Sequence, residues 1–217
     1  LSPIRIVPAI LTDDPQELTA MRDIMSGVVD WVQVDIMDGR FVPSRSIGWE
    51  EIRDARLPFG WEAHLMVENP VDYFKGFKAA GAERVIFHYE TVSDPSTVTV
   101  AAREAGLTVG MAVNPETSVE DICQWLDSLD HVLLMSVHPG FYGAKFLPEV
   151  LAKIEQLRRY APGLTIGIDG GIKEENLLEV ASRGVDDICV GSGVFRATDP
   201  AAAFQRLQAM VTSFPGA

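Results

Sequence analysis

Short apolar, β-branched runs recur along the chain at residues 4–10, 31–36, 61–67, 84–88, 108–113, 131–137, 164–168 and 187–190. Between them the apolar positions return every three to four residues, the interval that gathers them on one face of a helix. Parallel strands need long return connections, so strict alternation of strand and helix predicts a parallel sheet. Four helix starts carry a capping side chain directly before a proline, at Asp14, Asn69, Asp94 and Asp199. Ala80-Gly81, Ala105-Gly106 and Arg183-Gly184 read as helix stops. Eight strand–helix units predict an α/β fold, a single (β/α)8 TIM barrel of the phosphate-binding type, with residues 1–217 as one domain. A doubly wound open sheet would need a glycine-rich turn after the first strand, where this chain has Pro8-Ala9-Ile10-Leu11-Thr12.

The charge balance narrows the partners. Thirty-one acidic against 18 basic residues give a net charge of −13, which repels a nucleic-acid backbone. No run reaches the ~18 apolar residues that would cross a bilayer, and acidic residues interrupt the start of the chain where a signal peptide would stay apolar. Neither nucleic acid nor membrane is expected as a partner. Two cysteines, Cys123 and Cys189, match no metal spacing and make no disulfide scaffold, so a reducing cytoplasm is expected.

In such a barrel the chemistry collects at the C-terminal ends of the strands. Polar residues gather there: Gln33, Asp35 and Asp38 on strand two, His64 on strand three, His88 on strand four, Asn114 on strand five, Ser136 and His138 on strand six, and Asp169 on strand seven. Alternation puts Gln33, Asp35 and Met37 on one face, and His64 with Met66 on one face. An aspartate at a strand end is by itself more often a cap, and a single histidine more often a structural residue; their convergence on one rim favours chemistry. Asp35 and Asp169 are placed to approach a small substrate from opposite faces, one removing a proton and the other returning it. Glycine loops follow strands seven (Gly170-Gly171) and eight (Gly191-Ser192-Gly193), where a phosphate can meet bare backbone. The loop from His138 to Phe146, with Gly140, Phe141 and Gly143, has the composition of a lid.

These residues, taken in order, resemble the ribulose-phosphate 3-epimerase family. The resemblance rests on Val34-Asp35-Ile36-Met37-Asp38-Gly39 with Phe41-Val42-Pro43, on His64-Leu65-Met66-Val67 with Glu68-Asn69-Pro70, and on Met135-Ser136-Val137 with Pro139-Gly140-Phe141. Asp169-Gly170-Gly171 and Gly191-Ser192 complete it. It implies an isomerase of carbohydrate metabolism, in the pentose phosphate pathway, that interconverts D-ribulose 5-phosphate and D-xylulose 5-phosphate through an enediolate. In that family a homo-oligomer is expected. The resemblance makes Asp35 and Asp169 the catalytic pair, with Asp35, His64 and Asp169 also ligands of a divalent metal cation: Zn, Mn, Mg or Fe. Met37, His64, Met66, Gly140, Phe141, Gly143, Gly170, Gly171, Gly191 and Ser192 are the implied substrate contacts. The chain departs from the family pattern at three places. Gln33 stands where a histidine ligand is usual and is a candidate fourth ligand through its carbonyl; Ala9 stands where a serine is usual; and Tyr142-Gly143-Ala144 replaces a Gly-Gly-Gln run. Another ketose phosphate such as allulose 6-phosphate, a phosphosugar aldolase or synthase, and a non-catalytic phosphosugar-binding barrel remain open alternatives.

Overall fold

A computed structural model describes residues 3–140 and 144–214. Its first half runs β1 (Arg5–Ile10), α1 (Pro15–Met25), β2 (Trp31–Met37), α2 (Trp49–Ala55), β3 (Gly60–Met66), α3 (Phe74–Ala79), β4 (Arg84–His88) and α4 (Pro95–Glu104). The second half runs β5 (Thr108–Val113), α5 (Val119–Ile122), β6 (His131–Met135), α6 (Leu151–Tyr160), β7 (Thr165–Asp169), α7 (Glu174–Ala181), β8 (Asp187–Val190), α8 (Ser192–Phe195) and α9 (Pro200–Thr212). All neighbouring strands are parallel and β1 closes on β8, so the sheet is an eight-stranded barrel. The predicted (β/α)8 architecture is the observed one. Among the described residues no helix is long and apolar enough to cross a membrane.

Alternation along the strands sorts two cores. Val32, Val34 and Ile36 of β2 point outward into the layer that also holds Leu18, Met21 and Met25, the apolar stripe of α1. Inside the barrel a smaller cluster contains Val7, Ala9, Ile86, Ala112, Leu133, Met135 and Cys189. Asp14, Asp94 and Asp199 cap their helices by accepting from the amides of Gln16, Ser96 and Ala202. Asn69 makes no such cap; its backbone (φ −123°, ψ 78°) feeds a 3-10 turn, Pro70–Tyr73, before α3. The three predicted stops hold, since Gly81, Gly106 and Gly184 all have positive φ.

Several strand ends shift from the sequence pattern, and two of the differences bear on the site. β6 stops at Met135 because Ser136 turns aside, its hydroxyl donating to the carbonyls of Asp169 (3.0 Å) and Gly170 (2.7 Å). β7 continues one residue further than predicted, through Asp169, which is thereby held by the ladder rather than by a loop.

The N-terminal end of the barrel is closed by an ionic layer. Asp187 accepts from Arg5 Nε (3.0 Å) and Nη2 (2.8 Å), and Arg84 Nε donates to Glu62 at 2.7 Å. His131 Nε2 lies 3.6 Å from Asp187, and both guanidinium groups stack on Trp31. Gly167 makes the room: a Cβ there would come within 2.7 Å of the His131 ring. Burial works against the Asp187 charge, but the adjacent His131 ring and the hydrogen-bonded Arg5 guanidinium outweigh it and hold the carboxyl well below the ordinary range. A depressed acid contributes stability above its unfolded pKa, and that contribution is lost as pH falls towards the folded value. Replacing Asp187 with Asn should therefore cost ~3 kcal/mol at pH 7, the low end for a broken buried pair because Arg5 is partly solvated. Urea titration should show the gap between the two proteins narrowing as pH falls below about 4, the ordinary aspartate value; a gap that is absent at neutral pH contradicts the role given to Asp187.

Candidate active site

The cleft opens at the C-terminal ends of the strands. Its floor carries Asp35, His64 and Asp169, with Ala9, Met66, Met135 and Cys189 around them. One side is formed by Gly170, Gly171, Gly191 and Ser192, and another by Val137, Pro139, Gly140 and Ala144. Met37 is buried against Met66 and Val42 and lines an adjoining cavity instead of the main cleft. The lid residues Phe141, Tyr142 and Gly143 lie outside the described residues.

The barrel register brings the polar groups together. Asp35 of β2 is the lateral partner of His64 on β3, and Asp169 of β7 is the partner of Cys189 on β8. His64 Nδ1 lies 2.9 Å from Asp35 Oδ1 and 3.6 Å from Asp169 Oδ2. Its other nitrogen lies 2.9 Å from His88 Nε2, and His88 Nδ1 lies 3.4 Å from Glu90. His88 and Glu90 thus fix the plane of the His64 ring from behind. Asp35 and Asp169 retain 8% and 9% of their surface, so both are open only to what enters the cleft.

Burial is the largest influence on Asp169, His64, His88 and Cys189. It pushes Asp169 up to about 7, helped by the charge of Asp35 and opposed by His64 and Gln33. For His64 burial opposes the charged form, yet the hydrogen bond and charge of Asp35 and the charge of Asp169 prevail, and its pKa is raised. His88 is lowered to about 4 by burial despite Glu90, which leaves it neutral and able to accept from His64. Burial drives the Cys189 thiol well above its usual value, so it remains an S–H donor.

Asp35, His64 and Asp169 each offer one ligand atom, all within 4.8 Å of one another, a group that could hold a divalent cation. Gln33 does not complete that set. Its Nε2 donates to Asp35 Oδ1 at 2.8 Å and to Asp169 Oδ2 at 2.7 Å, while its Oε1 accepts from Cys189 Sγ at 3.2 Å. The expected carbonyl contact is reversed because the carboxylates need donors and the thiol supplies one for the oxygen. His88 is one of the rim residues read from the sequence, whereas Cys189 and Glu90 were not anticipated from it. Alternation from Asp187 would have turned Cys189 inward, but Glu90 lies past its strand and gives no periodic signal.

Gly171 has φ 64°, and a Cβ there would come within 2.6 Å of the Phe146 amide nitrogen. Gly170 has φ 120°, with Val137 2.4 Å from where its Cβ would lie. Only glycine fits either position, and the backbone is left bare towards the cleft beside Gly191 and Ser192.

Solved structures share this fold. The KGPDC of Streptococcus mutans in complex with D-R5P matches with a TM-score of 0.77 at 15% identity, covering 98% of this chain and 99% of that one. The 3-hexulose-6-phosphate synthase of Salmonella typhimurium matches at 0.72 and 19% identity, covering 96% and 98%. At those identities the likeness is one of fold. Sequence relatives carry more: the ribulose-phosphate 3-epimerase of Mycobacterium tuberculosis is 37% identical over 209 residues, 94% of this chain and 91% of that protein. That of Aquifex aeolicus is 40% identical over 195 residues, 86% and 87% of the two chains. The model of the ribulose-phosphate 3 epimerase family matches residues 5–195. With that match spanning nearly the whole barrel, the chain belongs to the ribulose-phosphate 3-epimerase family.

Proposed function

We propose that Asp35 and Asp169 are the acid–base pair of this epimerase and that its substrates are D-ribulose 5-phosphate and D-xylulose 5-phosphate. The protein is an isomerase acting on a sugar phosphate, as its family and its curated relatives have it. The observation that carries the residue assignment is the pairing of two nearly buried carboxylates, with ligand oxygens within 4.8 Å, across the floor of one cleft.

In one direction Asp35 takes the proton from C3, and the C–H electron pair becomes the C2–C3 double bond of an enediolate as the C2 carbonyl oxygen gains charge. Asp169 then delivers its proton to C3 from the other face, the carbonyl re-forms and the configuration is inverted. The reverse reaction exchanges the two roles. One carboxyl must be ionised and the other protonated at each start, and two carboxylates crowded in a low-dielectric space favour that division. His64 keeps Asp35 oriented and is itself held by His88. Met66 lines the reacting end with a polarizable surface that offers no competing proton.

Asp35, His64 and Asp169 would hold a divalent cation, Zn, Mn, Mg or Fe, which when bound supplies Lewis-acid stabilisation of the enediolate oxygens. The phosphate is assigned to the bare backbone at Gly170, Gly171 and Gly191 with the Ser192 hydroxyl. Amide dipoles at contact distance outweigh the distant surface acids, which salt screens beyond ~8–10 Å. Cys123 and Cys189 as free thiols fit a cytoplasmic setting.

Asp35→Asn and Asp169→Asn should each lower kcat by ~10³-fold or more while leaving thermal unfolding near that of the parent, since the amide keeps shape but transfers no proton. Solvent deuterium entering C3 by NMR should survive, if at all, in one variant only, through the remaining base. Near-normal turnover in both variants would falsify the two-carboxylate assignment. For the phosphate, kcat/KM on free ribulose should be at least ~10²-fold below that on its 5-phosphate; comparable values for both sugars would remove the phosphate from the binding account.

A further inference from the structure

Gln33 is fully buried, yet its amide reaches from β2 past β1 to touch residues of β7 and β8. The register makes that reach possible. Ala9 is the β1 residue level with Gln33, and its methyl leaves open the path that a longer inward side chain would fill. Both N–H groups and the carbonyl oxygen of the amide are then engaged. Each of the two N–H groups meets one carboxylate, and the carbonyl meets the S–H of Cys189. Turned over, the amide would press its oxygen against two carboxylate oxygens and its NH2 against a thiol that is itself a donor. The thiol therefore fixes which end of the amide faces the acids.

A cation seated among the atoms that face one another, His64 Nδ1, Asp35 Oδ1 and Asp169 Oδ2, would compete with Gln33 for the two oxygens its amide now occupies. We propose that Gln33, keyed by Cys189, is a positioning residue that bridges the two catalytic carboxylates, so that their working spacing does not depend on a bound cation. Amide bridge and cation are alternatives for the same oxygens. Divalent affinity is consequently lowered in this chain, and proton transfer at C3 continues after the metal is stripped. The inference rests on the acid–base reading above, which assigns Asp35 and Asp169 the chemistry.

The experiment begins with the full-length protein after exhaustive chelation, its metal content checked by elemental analysis. The wild type should retain C3 proton exchange and epimerisation within a few-fold of its rate with added Mn²⁺ or Zn²⁺. Gln33→Glu replaces a donor by an acceptor of the same shape, and Gln33→His supplies a ring nitrogen. Both should lose ~10²-fold or more of the metal-free rate and bind Mn²⁺ or Zn²⁺ at least ~10-fold more tightly by calorimetry. Cys189→Val frees the amide to rotate, so metal-free kcat should fall with KM little changed, and Cys189→Ser, which keeps a donor, should restore it. Thermal unfolding identifies any variant that fails to fold, and the cysteine pair then carries the test. A wild type that is inactive once stripped and recovers only with a cation, or one whose divalent affinity equals that of Gln33→His, overturns the proposal. A Cys189→Val variant unchanged in metal-free kcat removes the thiol from it. If the wild type epimerises under neither condition, the acid–base reading fails instead, and the affinity comparison with Gln33→Glu still judges the bridge.

Discussion

Two carboxylates with ligand oxygens within 4.8 Å, each more than nine-tenths buried, repel each other unless donors lie between them. The centre is built to supply those donors. Gln33 gives one N–H to each acid, and His64 reaches Asp35 from the side. Each donor is anchored in turn, the glutamine by Cys189 and the histidine by His88 and then Glu90. Glu90 accepts from the Asn114 amide at 2.8 Å and from the Thr117 hydroxyl, which ties the network to the loop after β5. Charge repulsion at the centre is thus answered by a hydrogen-bond framework that five strands share.

That framework is possible because a closed barrel fixes lateral neighbours. Asp35 cannot leave His64, nor Asp169 leave Cys189, without breaking a ladder of main-chain hydrogen bonds. Beneath the polar floor lies an apolar layer with Val7, Ile86, Ala112 and Leu133, and beneath that the ionic layer of Arg5, Glu62, Arg84, His131 and Asp187. The lower charges are neutralised within their own layer. Stability and the proposed chemistry thus gather towards opposite ends of one tube.

Most of the barrel was legible because its signals are local and periodic. β-branched runs mark the strands, aspartate-proline pairs mark three helix starts, and glycines at positive φ mark the stops. Asn69 misled because a proline suits the first turn of a 3-10 helix as well as an α-helix, and the cap depends on a backbone angle that sequence does not state. In the site, alternation correctly turned Gln33 and Asp35 inward, and strand order brought Asp169 to them. What it could not convey was the orientation of an amide. Whether Gln33 offers oxygen or nitrogen depends on Cys189, 156 positions away in sequence and joined to it only by barrel closure. Met37 likewise shares a face with Asp35, but lying one register step further out it tips towards Val42 and an adjoining cavity.

Chain adjacency couples Asp169 to the glycine turn proposed to seat the phosphate. Asp169 is the last residue of β7, and Gly170 and Gly171 follow it with no intervening residue. Both glycines are held in backbone conformations other residues avoid, pressed on Val137 and on the Phe146 backbone from the β6 side. Ser136 completes the clamp by donating to the carbonyls of Asp169 and Gly170. A phosphate bound on this turn, as proposed, would therefore be one short, rigid segment away from the proposed proton-transferring carboxyl of Asp169. Rigid seating of this kind lets binding energy gained at the phosphate, remote from the reacting carbon, be used to align C3 between the two acids. A looser turn would bind the anion as well but would let the carbon drift from the narrow gap that the carboxylates leave.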